Sequence, residues 1–307
     1  MSSMADRPDH GLLPGFEALD IETSGGARIH LRHAGQGPPL LLLHGNPQTH
    51  ACWHRIAPRL AADFHVVAAD LRGYGDSAGP DPAVTANYSF RAMAQDQVEV
   101  MRALGHERFF LAGHDRGARV GHRMALDHPG RVLRLALLDI LPTLHVWRNA
   151  SAEWAMKSWH WVFMPQEGDL PERMMESVPA RWYIERKIGK AGVGLSIFHS
   201  RALDEYVRCF TAKTIRASCA DYRAAATVDR AMDEADAAAG RRIACPTLVL
   251  FGGGSHTGQV FDDVTAAWRD YATDLLGARL ASGHYLPEHA PEETLAWLLR
   301  FFGDGPA

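Results

Sequence analysis

The sequence predicts an α/β fold: a mostly parallel sheet flanked by helices, with a helical segment inserted between two of its strands. Three observations point there. The apolar runs Pro39–Leu43, His65–Ala69 and residues 109–112 are short, lack polar alternation and each lead into a glycine-punctuated loop, as strands buried on both faces do. Helical spacing separates these runs, which is the alternation of a βαβ chain. From residue 142 to about 240 strand signals vanish, and five of the eight tryptophans (Trp147, Trp154, Trp159, Trp161 and Trp182) crowd into helical patterns, so this stretch reads as a lid over a concave apolar site. The expected organisation is a core of residues 1–141 and 241–307 with a helical cap of residues 142–240.

Taken in order, residues 16–23 and 27–34 alternate with a two-residue period around Ser24-Gly25-Gly26, a hairpin signal. The strand Pro39–Leu43 runs into His44-Gly45-Asn46-Pro47, residues 53–62 have helical spacing, and His65–Ala69 leads into Asp70-Leu71-Arg72-Gly73-Tyr74-Gly75-Asp76-Ser77. Residues 90–104 form an amphipathic helix that reaches the strand 109–112 through Gly105. Residues 131–138 form the next strand, ending at Asp139. After the helical insert, residues 246–251 resume the sheet, 260–271 are helical, 278–281 are the last strand before Ser282-Gly283-His284-Tyr285, and 292–302 close the chain as a helix.

Composition excludes several classes. A hydrophobic content of 47%, a charged content of 22% and a net charge of -4, with no basic stripe, fit a soluble globular chain and argue against nucleic-acid binding. Cys52, Cys209, Cys219 and Cys245 have neither disulfide-framework nor metal-ligand spacing and read as free thiols. The first residues lack a signal-peptide apolar region, and no apolar run approaches the length of a membrane span, so a cytoplasmic location is expected. No metal motif is present, and metal catalysis is not expected.

The chemistry centres on residues 109–119, where a strand turns sharply into a helix through Gly113-His114-Asp115-Arg116-Gly117. In α/β-hydrolases a G-x-S-x-G turn holds a serine above the sheet, and here the nucleophile position carries Asp115. A carboxylate gains little from attacking a carbonyl, because the anhydride formed is unstable. Displacement at a saturated carbon gives instead an alkyl ester that water can open. Chain order in this fold places nucleophile, acid and histidine in that sequence, which makes Asp115 the nucleophile and His284, after the last strand, the base. The acid belongs after the strand ending at Leu138 or after the one ending at Phe251. The second position reads Gly252-Gly253-Gly254-Ser255-His256, without a carboxylate before Asp262 and Asp263, so Asp139 is the expected acid that orients His284.

Arg116 and Arg119 lie one helical turn apart just after the nucleophile, so both can face the same spot. Two guanidiniums there would depress the pKa of Asp115 and hold an external carboxylate through bonds worth roughly 1.5–3 kcal/mol each. A small anionic substrate follows.

The stretches His44-Gly45-Asn46-Pro47-Gln48-Thr49-His50, Asp70 to Ser77, Gly113 to Arg119, Asp139 to Pro142, His160-Trp161, Asp221-Tyr222-Arg223-Ala224 and Ser282-Gly283-His284 together resemble the fluoroacetate (haloacetate) dehalogenases of the α/β-hydrolase superfamily. The likeness spans nearly the whole chain, and the Asp-Arg-x-x-Arg elbow is its most specific part. It implies that Arg116 and Arg119 bind the substrate carboxylate, and that His160, Trp161 and Tyr222 donate hydrogen bonds to the leaving halide. Tyr183 or Tyr206 are alternatives for the tyrosine, and Trp182 is a further candidate for the pocket wall. The resemblance also implies a homodimer and no cofactor. Several donors suit the chemistry, since fluoride concentrates the charge it carries away. Two positions depart from the family pattern. Asn46 replaces a phenylalanine, and Gly117-Ala118 replaces a Gly-Gly pair. The backbone N–H groups of Asn46 and Arg116 are the expected oxyanion hole. An asparagine in this loop touches the halide in many haloalkane dehalogenases, so the Asn46 side chain is expected to move preference toward chloride or bromide.

The expected activity is hydrolysis of a 2-haloacid to the 2-hydroxy acid and halide. Epoxide hydrolysis through the same aspartyl ester needs two cap tyrosines, for which Tyr183, Tyr206 and Tyr222 are available, but it gives the paired arginines no purpose. A non-catalytic receptor on the same fold is the alternative from another class.

Overall fold

The computed structural model describes residues 11–189, 194–261 and 263–303. Its strands are β1 (Glu17–Glu22), β2 (Arg28–Ala34), β3 (Pro39–Leu43), β4 (His65–Ala69), β5 (Phe109–His114), β6 (Val132–Leu138), β7 (Thr247–Gly252) and β8 (Leu275–Leu280). They form one eight-stranded sheet in the order β1-β2-β4-β3-β5-β6-β7-β8. The hairpin β1–β2 and the pair β2–β4 are antiparallel, and every pairing from β4 through β8 is parallel. The uniformly apolar runs of the sequence are these parallel strands, covered on both faces by helices.

β5 lies in the interior of the sheet between β3 and β6 and is buried along its whole length. Its register sets Leu111 opposite Leu135, and both side chains lie under Gly121, whose missing side chain lets the helix Arg116–Asp127 pack directly over β5 and β6. Phe110 stacks on Phe302 with centroids 5.3 Å apart, which seats the closing helix Pro291–Gly303 on the sheet. The helix Phe90–Ala103 starts at Ser89, whose hydroxyl accepts the Ala92 N–H.

Between β6 and β7 the described residues form helices and no strand, from Thr143–Arg148 to Val228–Ala238. Buried charges join this segment to the sheet-bearing part. Arg123 reaches Asp233 at 2.8 Å and Asp236 at 2.6 Å, and Asp229 Oδ1 accepts the N–H of Phe90 at 2.9 Å.

Three elements differ from the sequence reading. The helix expected over 53–62 is a 3-10 turn, His50–Trp53, followed by the short helix Ala57–Leu60, because Pro58 lacks the N–H that a continuous helix needs and fits only in a first turn. The helix expected over 260–271 is two shorter ones, His256–Val260 and Val264–Ala267. Phe261 is extended, and the Asp263 side chain accepts the Ala266 N–H and starts the second. The last strand begins at Leu275 rather than at 278. Gly277 is not a turn there, since a Cβ at that position would run into the Thr265 side chain, so the glycine lets the helix Val264–Ala267 lie on the strand.

Candidate active site

The loops after β3, β5, β6, β7 and β8 meet at the carboxyl ends of the parallel strands, where open α/β sheets place their ligand sites. A cavity of about 700 Å³, open to solvent, lies between these loops and the helical segment. Asp115, Asp139 and His284 all line it.

Asp115 sits between β5 and the helix Arg116–Asp127 with φ 48° and ψ -113°, a left-handed backbone that a non-glycine residue holds only under strain. The strain turns the carboxylate out over the strand ends. Gly45 makes room for it, since a Cβ there would collide with the Asp115 side chain. Asp115 Oδ1 accepts the Asn46 N–H at 2.9 Å, and Oδ2 lies 3.9 Å from His284 Nε2. Burial works to raise the carboxyl pKa, but the neighbouring His284, His114, Arg116 and Arg119 outweigh it and hold Asp115 well below the usual carboxylate range. The group is an anion throughout the neutral range.

Asp139 also has a positive φ, 52°. Its Oδ1 accepts the Gly252 N–H at 2.8 Å and the Ser255 hydroxyl at 2.9 Å, while Oδ2 meets His284 Nδ1 at 2.6 Å. The glycine-rich loop after β7, which lacks a nearby carboxylate, thus serves as the clamp on Asp139. His284 is further fixed by His114, whose Nε2 meets the His284 carbonyl oxygen at 2.9 Å with ring centroids 4.7 Å apart. Burial and the adjacent His284 bring the His114 pKa down to about 4, so this ring is neutral and donates its Nε2 proton to the carbonyl.

The two arginines are not equivalent. Arg119 lines the cavity, its guanidinium 4.5 Å from the Trp161 ring centroid. Its Nη1 donates to the Leu141 carbonyl and the Thr143 hydroxyl, and its buried Nε has no partner among the described residues. Burial and the charge of Arg116 bring its pKa down to about 10. Arg116 is not in the cavity wall. It is fully buried against Asp221, with Nε on Oδ2 at 2.8 Å and Nη2 on Oδ1, leaving only Nη1 without a partner among the described residues. Asp221 raises the Arg116 pKa against the opposing effect of burial.

His160 and Trp161 line the cavity; Tyr222 lies against both, at 5.6 Å and 6.2 Å between centroids, without being a wall residue. The two alternative tyrosines stand elsewhere: Tyr206 donates to Glu288 at 3.1 Å, and Tyr183 stacks on Phe210 at 4.8 Å. Trp182 is 52% exposed and lines no part of the cavity. The Asn46 side chain is held by Lys187 Nζ on its Oδ1 and stands 3.4 Å from the Tyr74 hydroxyl.

Sequence reasoning missed Lys187, His256, Phe261 and Tyr285 in the wall and Asp221 behind it. Asp221 adjoins Tyr222 in a quoted motif, which was the available signal. Lys187 had none, being a lone lysine on a helix. Away from this cavity, His30, His50 and Asp70 each bring one potential metal-ligand atom within 4.8 Å of the others, where His50 Nδ1 already meets Asp70 at 2.9 Å and His30 Nδ1 meets Asp20 at 2.7 Å.

Comparison with known proteins agrees with this architecture. Residues 38–262 match the family model of the α/β hydrolase fold. The chain is 42% identical to a fluoroacetate dehalogenase of Burkholderia sp over 95% of its own length and 96% of that protein. It is 33% identical to a soluble epoxide hydrolase of Corynebacterium sp. (strain C12), covering 90% of this chain and 94% of the relative. A solved α/β hydrolase of Nostoc sp PCC 7120 superposes with a TM-score of 0.91 at 51% identity, over 94% of this chain and 98% of that one. With its parallel sheet, its strained elbow and these relatives, the chain belongs to the α/β-hydrolase superfamily and, within it, to the family of the fluoroacetate dehalogenases.

Proposed function

We propose that this protein hydrolyses haloacetates and related 2-haloacids to the 2-hydroxy acid and halide through an ester on Asp115. The observation that carries the reading is a single line of contacts: Asp139 Oδ2 to His284 Nδ1 at 2.6 Å, and His284 Nε2 to Asp115 Oδ2 at 3.9 Å. The Asp115 carboxylate attacks the α-carbon from the side opposite the halogen, and the C–X bond breaks with its electron pair on the halide. His284 Nε2 then takes a proton from water, whose oxygen adds to the Asp115 carboxyl carbon, while Asp139 stabilises the imidazolium. The oxyanion falls to the N–H of Asn46, which already reaches Oδ1, and to that of Arg116 at the start of its helix. Collapse passes that proton to the departing hydroxy acid and leaves Asp115 as a carboxylic acid, which gives its remaining proton through His284 to solvent and becomes a carboxylate again.

The substrate carboxylate pairs with the guanidinium of Arg119, which lines the cavity, while Arg116, expected from the sequence to share that role, is committed to Asp221 behind the wall. His160 and Trp161 face the halide, with Tyr222 packed against both. Residues 142–240 act as the cap and residues 1–141 and 241–307 as the core. The family resemblance also supports a cytoplasmic homodimer that needs no cofactor. The exposed apolar side chains Met156, Val162 and Trp182 on the cap suit a self-contact, which light scattering on the purified protein tests. For the activity, fluoroacetate and chloroacetate should each yield halide and glycolate, and Asp115→Asn should yield neither. Absence of halide from both acids with wild-type protein refutes the substrate assignment.

A second reading, epoxide hydrolysis, draws on the likeness to the Corynebacterium enzyme. It needs two hydroxyl donors above Asp115, whereas Tyr206 is engaged by Glu288 and Tyr183 lies outside the wall. Turnover of styrene oxide without turnover of haloacids would reverse the ranking.

A further inference from the structure

At the amino ends of the parallel strands, across the sheet from the active-site cavity, three histidines stand in a row. His33 belongs to β2, His65 is the first residue of β4, and His106 lies in the turn between the helix Phe90–Ala103 and β5. His33 Nδ1 meets His65 Nε2 at 3.1 Å, and His65 Nδ1 meets His106 Nε2 at 2.6 Å. The rings stand edge to face, with centroids 5.3 Å and 4.8 Å apart. The main chain fixes where they start. Gly105, with φ 86°, ends the helix, and the His106 N–H closes back on the Met101 carbonyl at 2.8 Å, while the His65 N–H is donated to the Pro38 carbonyl at 3.1 Å. All three residues are half-buried, so water and small ions reach the rings. Each N···N contact pairs an N–H on one ring with a lone pair on the next, so both ring nitrogens of His65 are given to other imidazoles.

We propose that His65 Nδ1 and His106 Nε2 are the ligands of a binding site for a divalent transition-metal ion of the Cu²⁺, Ni²⁺ and Zn²⁺ class, with His33 as the outer partner that orients His65. Neighbouring ligands at metal–nitrogen lengths of about 2.1 Å stand roughly 3 Å apart, so the ion needs the pair opened by only about 0.4 Å. A ring in a turn, as His106 is, can give that much. The protons balance without a net release. With the His65 proton on Nε2 and donated to His33 Nδ1, the ion takes the place of the proton between the other two rings, which passes from His106 Nε2 to His106 Nδ1. Water fills the remaining coordination positions. The hydrogen bond from His65 to His33 fixes the tautomer and makes His65 the stronger donor. Neutral imidazoles select this class of ion over Mg²⁺ and Ca²⁺, which want oxygen ligands. The group His30, His50 and Asp70 is less suited. Asp70 Oδ1 already accepts the His50 main-chain N–H at 2.8 Å and meets its ring at 2.9 Å, and Oδ2 accepts the Asp76 N–H at 2.9 Å, so an ion there would displace bonds that shape the loop. A metal on His65 and His106 ties β4 to the entry of β5 and stabilises the base of the sheet. The proposal is independent of the haloacid reading.

The test titrates the full chain, without an affinity tag, with CuCl₂, ZnCl₂ and MgCl₂. Electron paramagnetic resonance of the tightest Cu²⁺ equivalent should show splitting from a pair of imidazole nitrogens. Zn²⁺ should raise the melting temperature by a few degrees, and Mg²⁺ should not. His106→Ala leaves one imidazole where two acted together, so it should weaken Cu²⁺ binding by roughly 100-fold and abolish the Zn²⁺ shift. His33→Phe keeps both ligands and loses the outer partner, which should weaken binding by roughly 10- to 100-fold while the nitrogen splitting persists. His50→Ala should bind as wild type does. Should His106→Ala not fold, the His33→Phe and His50→Ala titrations decide the matter. A wild-type spectrum without nitrogen splitting, wild-type affinity in His106→Ala or in His33→Phe, or loss of the site in His50→Ala overturns the proposal.

Discussion

Replacing Arg119 and Arg116 separately by methionine should give two different proteins, although the residues stand three apart on one helix. Arg119 lines the cavity with a guanidinium whose buried Nε has no partner among the described residues, and one charge-assisted bond to a carboxylate is worth about 1.5–3 kcal/mol, or roughly 10- to 150-fold in kcat/KM. Its other contacts, to the Leu141 carbonyl and the Thr143 hydroxyl, are neutral acceptors. Arg116 is instead one half of a buried ion pair whose other half, Asp221, would be left without its counter-charge. Breaking such a pair from one side costs about 3–5 kcal/mol, roughly 5–8 °C in melting temperature at this chain length. The assay pairs chloroacetate with its neutral isostere chloroacetamide and records melting curves. Arg119→Met should lose its preference for the anion while melting only a few degrees lower. Arg116→Met should melt far below wild type. If Arg119→Met still prefers chloroacetate as wild type does, or if Arg116→Met melts like wild type, the division of labour between the two guanidiniums is refuted.

Other outcomes follow from the same geometry. Asp139→Asn keeps the clamp from Gly252 and Ser255 but removes the charge facing His284 Nδ1, so ester hydrolysis should fall by about 10³- to 10⁴-fold. Halide should then appear as a single burst, with the glycolyl-ester mass persisting on Asp115; absence of the adduct counts against the assigned acid. Glu288, buried between Gln48 and Tyr206, has its pKa pushed up by burial from the ordinary 4.5 to about 8. The folded state therefore binds a proton that the unfolded chain releases, so this stabilisation is complete below about 4.5 and is lost as pH rises through 8. Glu288→Gln lacks that term. Its melting temperature relative to wild type should rise from pH 5 to pH 8, with a slope of at most about 1.4 kcal/mol per pH unit. A constant difference would show that Glu288 is ionised throughout.

Much of the site was legible because the fold ties function to chain order. Asp115, Asp139 and His284 each follow a parallel strand, and parallel strands are conspicuous as uninterrupted apolar runs. What escaped the sequence lies across long separations. Lys187 meets Asn46 over 141 positions, and Asp221 meets Arg116 over 105. Neither carries a local pattern, because a charged residue on a helix face looks the same whether it faces solvent or a cavity. Helix boundaries around Pro58 and Asp263 depart from the sequence expectation for the opposite reason. Local signals mark both, but the apolar periodicity runs on past them.

The sequence by itself determined the α/β class, the aspartate at the elbow and the histidine after the last strand, since each rests on short-range periodicity or on position relative to a strand. Only the tertiary structure decided which arginine faces the cavity, what holds Asn46 and where Lys187 points. Those are choices among buried charges, and a buried charge is settled by whichever partner the packed interior brings within reach, a partner that spacing along the chain does not reveal.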